Sequence, residues 1–210
     1  MTSVKRRVGL MGGTFDPIHY GHLRAADEAH AAFGLSEVIF IPTGQPPHKA
    51  GRVITSAEDR YMMTVLATAE CPYFNVSRIE IEREGRSYTI DTLRELRSLK
   101  EYEDAEFYFI TGLDAVIDIM TWKNPHEIAS MCKFVAVSRY GYAPKRVEEL
   151  PQDLRDAIIP LEIPLLAISS TQLRERVSRS ASIRFLVPPS VESYIRKKSL
   201  YKDLNGRESI

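Results

Sequence analysis

The chain has 210 residues, 44% of them apolar and 27% charged, a globular composition that excludes a disordered or fibrous chain. Its 28 Lys and Arg balance 28 Asp and Glu, so nothing in the charge calls for a nucleic-acid partner, whose binders carry a basic excess. The two cysteines, Cys71 and Cys132, are far apart and in no metal-like spacing, which argues against a disulfide framework and fits a reducing, cytoplasmic location.

The basic start is followed by an apolar run, Val8 to Met11, too short for a signal-peptide core. No later stretch approaches the ~18 apolar residues of a membrane helix. Arg7 to Met11 reads as a strand broken by Gly12 and Gly13, with Pro17 fixing the turn. From Tyr20, the residues Leu23, Ala26, His30 and Phe33 recur at helical spacing, and Gly34 supplies a left-handed cap. Val38 to Ile41 is a second strand, apolar on both faces as in a covered parallel sheet. A loop from Thr43 to Ile54 carries Pro46-Pro47-His48-Lys49. Thr55 and Glu58 predict a capping box for a helix running to about Ala69. Phe74 to Ile81 reads as a strand, and Thr89 to Leu99 as an amphipathic helix. Phe107 to Ile110 is a strand ended by Thr111-Gly112, then a helix from Leu113 to Met120 and a strand from Phe134 to Val137. Tyr140 to Pro160, with three prolines, reads as a variable loop holding a short helix. Leu165 to Ile168 reads as the last strand, running into a helix capped by Ser169-Ser170-Thr171, and a final helix begins near Ser190.

Alternating strands and helices predict an α/β, Rossmann-like parallel sheet with helices on both faces and right-handed crossovers. Residues 1–203 read as one domain, with 168–203 as a small C-terminal helical lobe and 204–210 as a tail. Ligands in such sheets bind at the carboxyl ends of the strands. The Gly12-Gly13 turn, the Pro46 to Lys49 loop, Gly112 to Asp114 and Ser169 to Arg174 all fall at such ends.

Gly12 and Gly13 let a ligand approach the backbone, and the helix that follows aims its N-terminus at the same place, a combination that binds phosphate. A tight turn serving only packing reads equally well from the glycines alone. His19 and His22 are three apart, on one face of the first turn, where both can donate to phosphate oxygens. Metal ligation is the weaker alternative, because no acidic or Cys ligand sits at a matching offset. Structural capping explains either histidine alone better than both. Lys49 reads as a surface lysine or as a phosphate contact, and Arg174 as a surface arginine or as a fixed charge beside the Ser169 to Thr171 cap. Trp122 reads as core filler or as a stacking surface for a flat ring. His30 and His126 are given no role.

The stretch Gly12-Gly13-Thr14-Phe15-Asp16-Pro17-Ile18-His19-Tyr20-Gly21-His22 resembles the GGTFDPxHxGH signature of bacterial nicotinate-nucleotide adenylyltransferases. Pro46 to Lys49 resembles that family's PPHK loop, and Ile168 to Arg174 its ISSTxLR segment. The likeness continues through Ser87-Tyr88-Thr89, Asp91-Thr92, Gly112, Asp114 and Trp122. The resemblance implies that Gly12, Gly13, Thr14, Phe15 and Asp16, with His19 and His22, hold the ATP phosphates, Asp16 orienting the turn or a histidine. Lys49 would reach the reacting phosphates. Ser169, Ser170, Thr171 and Arg174 would grip the triphosphate, and backbone near Ile110 and Gly112 would meet adenine. Trp122 would stack on the pyridine ring, backbone N–H groups at Tyr88 and Thr89 would take its carboxylate, and Asp114 would serve the mononucleotide side by contacting a ribose or orienting the site. His19, His22, Lys49 and Arg174 would be the catalytic set.

The implied reaction is transfer of the adenylyl group from ATP to nicotinate mononucleotide, with Mg²⁺ carried on the ATP phosphates and no tightly bound cofactor. The acceptor phosphate has a second pKa of about 6, so it is already nucleophilic and needs no general base. In-line attack on the α-phosphorus then requires alignment and stabilisation of the leaving pyrophosphate. A sister enzyme such as pantetheine-phosphate adenylyltransferase shares the first motif without the Trp122 and PPHK features. Nicotinamide mononucleotide as acceptor and a non-catalytic binding module are the other rivals. The expected partners are ATP and nicotinate mononucleotide, with no nucleic acid and no membrane; a homo-oligomer is left open.

Overall fold

The computed structural model describes residues 5–46, 54–138, 145–164 and 166–202. Lys49 with most of its PPHK segment, Leu165 and the tail expected from residue 204 lie outside them. The elements in chain order are β1 (Arg7–Gly13), α1 (Tyr20–Phe33), β2 (Glu37–Pro42), α2 (Ala57–Thr68), β3 (Phe74–Val76), α3 (Ile79–Glu82), α4 (Thr89–Ser98), β4 (Glu106–Gly112), α5 (Leu113–Ile117), α6 (Pro125–Met131), β5 (Cys132–Ser138), α7 (Gln152–Ala157), β6 (Ile158–Glu162), α8 (Ser170–Ser178) and α9 (Pro189–Lys197).

Among the described residues six strands form one sheet in the order β3-β2-β1-β4-β5-β6, and every neighbouring pair is parallel. The order reverses between β1 and β4, which opens a crevice at their carboxyl ends. Alternation along each strand splits the apolar residues between two cores. Leu10, Ile39, Ile41, Phe107, Phe109 and Phe134 face α4, α5, α6 and α7. Met11, Val38, Phe40, Tyr108, Ile110 and Val135 face α1, α2, α8 and α9. Each fully buried Ile, Leu or Phe contributes roughly 1.5–3 kcal/mol, so both faces hold the strand ends firmly. The α8 and α9 helices join the second core directly through Leu173, Val191 and Ile195.

Several boundaries differ from the sequence expectations. The expected strand from Phe74 to Ile81 stops at Val76, and α3 replaces its second half. Ser77 Oγ accepts from Ile79 N (3.2 Å) at the start of α3, and Arg78 pairs with Glu82 one turn on (3.0 Å). The cap of α2 sits one residue later than Thr55: Ser56 Oγ accepts from Asp59 N (3.1 Å). The last strand is Ile158–Glu162, which begins inside the stretch read as a loop and runs past its end at Pro160, and Leu166 to Ile168 form no strand. Pro160 lacks the donor that an inner strand needs, but β6 lies at the sheet edge, where proline is tolerated. The helix expected to reach Met120 ends at Ile117 and is followed by a tighter turn, Ile119–Thr121.

Candidate active site

The turn after β1 departs from its simplest reading. Gly12 and Gly13 do not break the strand; they pair with Ile41 and Pro42 of β2. Neither has positive φ, whereas Phe15 does, at φ 50°. Gly13 is needed for space, because a Cβ there would lie 2.7 Å from the Phe15 ring. That ring is buried, and His22 stands edge-on to it at 5.1 Å. Phe15 thus turns back under the glycines and supports a histidine from below.

His19 is the N-cap of α1 and His22 its third residue, so the pair forms a reciprocal capping box. His19 Nδ1 accepts from Gly21 N (3.1 Å), and His22 Nδ1 accepts from His19 N (3.2 Å). The rings stack at 3.7 Å. Capping therefore explains both histidines together, and it also defines their chemistry. A neutral imidazole whose Nδ1 accepts carries its proton on Nε2, and both rings line a cavity of about 610 Å³. Burial lowers His19 to about 4, and burial with the neighbouring His19 lowers His22 well below the usual range. At neutral pH the pair is thus two uncharged N–H donors.

These shifts imply acid sensitivity. His19 takes up a proton near pH 6.5 in the unfolded chain but only near pH 4 in the folded one, so the unfolded state binds more protons in between and stability falls as pH drops. From about pH 7 to about pH 5, His19 alone should cost about 2 kcal/mol. Urea unfolding at both pH values checks this against His19→Asn, which keeps a capping acceptor and removes the titration. Equal pH dependence in the two proteins would contradict the assignment.

The Asp16–Pro17 turn gathers distant parts of the chain. Asp16 is buried; its Oδ1 accepts from Tyr201 Oη (2.8 Å) and its Oδ2 from Thr55 N (3.4 Å). Arg174 donates to the Asp16 carbonyl (2.7 Å), and Ser170 Oγ to the Pro17 carbonyl (2.9 Å). Ser169 caps α8 by accepting from Gln172 N (3.2 Å). The free N–H groups of the first turn of α8 and the half-buried Arg174, which also touches Thr171 Oγ1 (3.2 Å), therefore sit beside the β1–α1 turn.

The crevice at the switch point holds two cavities that share Gly12 and Thr111. The histidine cavity also takes in Ile110, Gly112 and Asp114. The second, about 390 Å³, takes in Gly13, Thr14, Tyr88, Thr89 and Trp122. Asp114 thus lies with the histidines and not with Trp122. Trp122 is half-buried, its ring edge-on to Phe109 (5.7 Å) and Phe134 (6.3 Å), so it is part of the core as well as a cavity wall. Lys49 lies outside the described residues, but the stem of its loop ends at Pro46 on the second cavity.

Two buried groups escaped the sequence reading. Arg60 lies on the inward stripe of α2 with Met63, Thr64 and Thr68, and donates to the carbonyls of Thr55 (3.0 Å), Thr14 (2.8 Å) and Gly44 (3.1 Å). Its position on that stripe was the available signal. Glu80 is buried beneath the second cavity and accepts from Thr92 Oγ1 (2.7 Å) and Ser87. Ser87 Oγ in turn accepts from Gly44 N (3.1 Å) and Gln45 N (3.3 Å). Burial raises the Glu80 carboxyl, and these hydroxyl donors oppose the rise. Gly44 must be glycine here, because a Cβ would run into the Glu80 carbonyl oxygen. Nothing in the sequence distinguished Glu80 within a run read as a strand.

No group of three or more His, Cys, Asp or Glu side chains among the described residues is arranged to hold a metal. No helix there is long and apolar enough to cross a membrane.

The cytidylyltransferase-like family model matches residues 10–176. A probable nicotinate-nucleotide adenylyltransferase of Moorella thermoacetica is 52% identical over 201 residues, covering 93% of this chain and 92% of the relative. One from Acidothermus cellulolyticus is 50% identical over 209 residues, covering 98% and 99%. The structure of Plasmodium falciparum nicotinic acid mononucleotide adenylyltransferase complexed with NaAD matches with a TM-score of 0.74 at 19% identity, over 93% of this chain and 97% of that one, a likeness of fold.

Proposed function

Because this chain belongs to the nicotinate-nucleotide adenylyltransferase family, we propose that it transfers the adenylyl group of Mg·ATP to nicotinate mononucleotide by one in-line displacement. The observation that carries this reading is the pair of cavities meeting at Gly12 and Thr111, with a histidine pair on one side and the only tryptophan on the other. ATP occupies the histidine cavity, its adenine against the backbone of Ile110 and Gly112. Asp114, on the same cavity, takes the ribose of ATP. The mononucleotide occupies the second cavity, its pyridine against Trp122 and its carboxylate near the start of α4. The reacting phosphates then meet over Gly12 and Gly13, where no Cβ stands between them and the backbone.

In this arrangement the acceptor phosphate, ionised at neutral pH, attacks the α-phosphorus, and pyrophosphate leaves on the opposite side. His19 and His22 donate from Nε2 to phosphate oxygens as charge shifts, and being neutral they need not lose a proton to do so. The fixed charge of Arg174 and the N–H groups at the start of α8 hold the leaving group, with Lys49 supplying the further positive charge. Asp16 acts indirectly by fixing the turn, since its carboxylate is already taken by Tyr201 and Thr55. Magnesium arrives on the triphosphate.

Purified protein given Mg·ATP and nicotinate mononucleotide should release pyrophosphate at least about tenfold faster than with the nicotinamide form, because a site arranged for one polar group rejects an analogue lacking it. Equal rates would overturn the acceptor assignment, and no release with either would overturn the reaction.

A further inference from the structure

The proposed acceptor differs from its rival by a single charge, a ring carboxylate in place of a carboxamide. Paired backbone N–H groups suit the carboxylate, which has two acceptor oxygens where the amide has one, and a cation beside them adds an attraction that the acid alone feels. Among the described residues lining the second cavity, the charged side chains are Glu80 and Lys123. Glu80 is buried, tied to Ser87 and Thr92, and of the wrong sign. Lys123 follows Trp122 directly. Its Nζ rests 4.7 Å from the centroid of the Tyr88 ring, on the same wall, and its side chain is 43% exposed.

Lys123 is held there by Asp91, at 2.9 Å from Oδ2. That tie is weak, as exposed ion pairs are, and Asp91 has a second cation in Arg94, 3.6 Å from Oδ1. Arg94 is itself anchored on Glu127 (2.7 Å). An incoming carboxylate can therefore draw Lys123 away from Asp91 without leaving the aspartate unpaired. We propose that Lys123 reads the ring carboxylate of the acceptor and so strengthens its preference for the acid over the amide. The inference rests on the adenylyl-transfer reading above. It gives Tyr88 a second part, as the platform that keeps the ammonium over the cavity between turnovers.

The test measures kcat/KM for nicotinate and nicotinamide mononucleotides with wild type, Lys123→Met, Lys123→Arg and Asp91→Asn. Lys123→Met should lower kcat/KM for the acid about tenfold through KM, the scale of one lost charge contact, and leave the amide and the KM for ATP unchanged. Lys123→Arg should keep the preference. Asp91→Asn, which frees the ammonium, should raise the acid-to-amide ratio. An unchanged ratio in Lys123→Met, alongside wild-type transfer to the acid, would overturn the role of Lys123 and leave the reaction standing. Absence of transfer to either acceptor in the wild type would overturn both.

Discussion

Replacing His22 with alanine is expected to lower kcat for adenylyl transfer by about 10²-fold or more, the usual loss when one donor to developing charge is removed. The ring is held on three sides: Nδ1 accepts from His19 N, one face stacks on His19, and Phe15 meets it edge to face. Its remaining polar group is Nε2–H, already oriented before substrate binds. Such a donor costs no reorganisation in the transition state, which is why its loss should appear in kcat more than in KM. The same change removes the acceptor for His19 N, a capping loss of about 1 kcal/mol. Thermal unfolding measured in parallel separates that structural part. A folded variant with near-wild-type kcat would take His22 out of the reaction.

Arg60→Met is expected to destabilise the protein by about 3–5 kcal/mol, the range for removing one partner from a buried charged network. The guanidinium is 1% exposed and joins three separate segments through the carbonyls of Thr14, Gly44 and Thr55. Methionine fills similar space but donates nothing, so three carbonyls lose their partner. The buried carboxylates of Asp16 and Glu80, whose charges favour the guanidinium, lose a counter-charge. For a chain of this size the midpoint of thermal unfolding should fall by roughly 10 °C. Thr14 lines the second cavity, which the mononucleotide occupies in the proposed arrangement, so kcat/KM should also fall at temperatures where the variant is fully folded. A loss under about 1 kcal/mol, within the range of ordinary surface changes, would contradict the structural role assigned to Arg60.

Much of the architecture was legible because the β1, β2, β4 and β5 strands are short apolar runs that only a sheet covered on both faces can bury. The errors fall where local signals competed. Leu165 to Ile168 is more apolar than Ile158 to Glu162, yet the latter, proline included, forms the edge strand. Phe74 to Ile81 alternates well enough to pass for a strand, but Ser77 and the Arg78–Glu82 pair favour a helical turn. In the site, the histidine spacing was visible, whereas the use of both Nδ1 atoms in a capping box depends on the ring rotamers and not on spacing. Gly13 was visible too, but its reason, room for the Phe15 ring, needs the fold to bring that ring back under the strand. The place of Arg60 on the inward stripe of α2 was legible, but its partners and those of Glu80 were not, being backbone carbonyls and hydroxyls scattered across distant segments.

The proposed chemistry has no enzyme nucleophile: two neutral donors, Arg174, Lys49 and a helix start stabilise the shifting phosphate charge, while the acceptor phosphate is already reactive. The most direct test is the stereochemical course at the α-phosphorus, using one diastereomer of adenosine 5′-(α-thiotriphosphate) with nicotinate mononucleotide as acceptor. A single in-line displacement between the two cavities predicts inversion of configuration in the dinucleotide. Retention, the outcome of two successive displacements through a covalent enzyme intermediate, would contradict it.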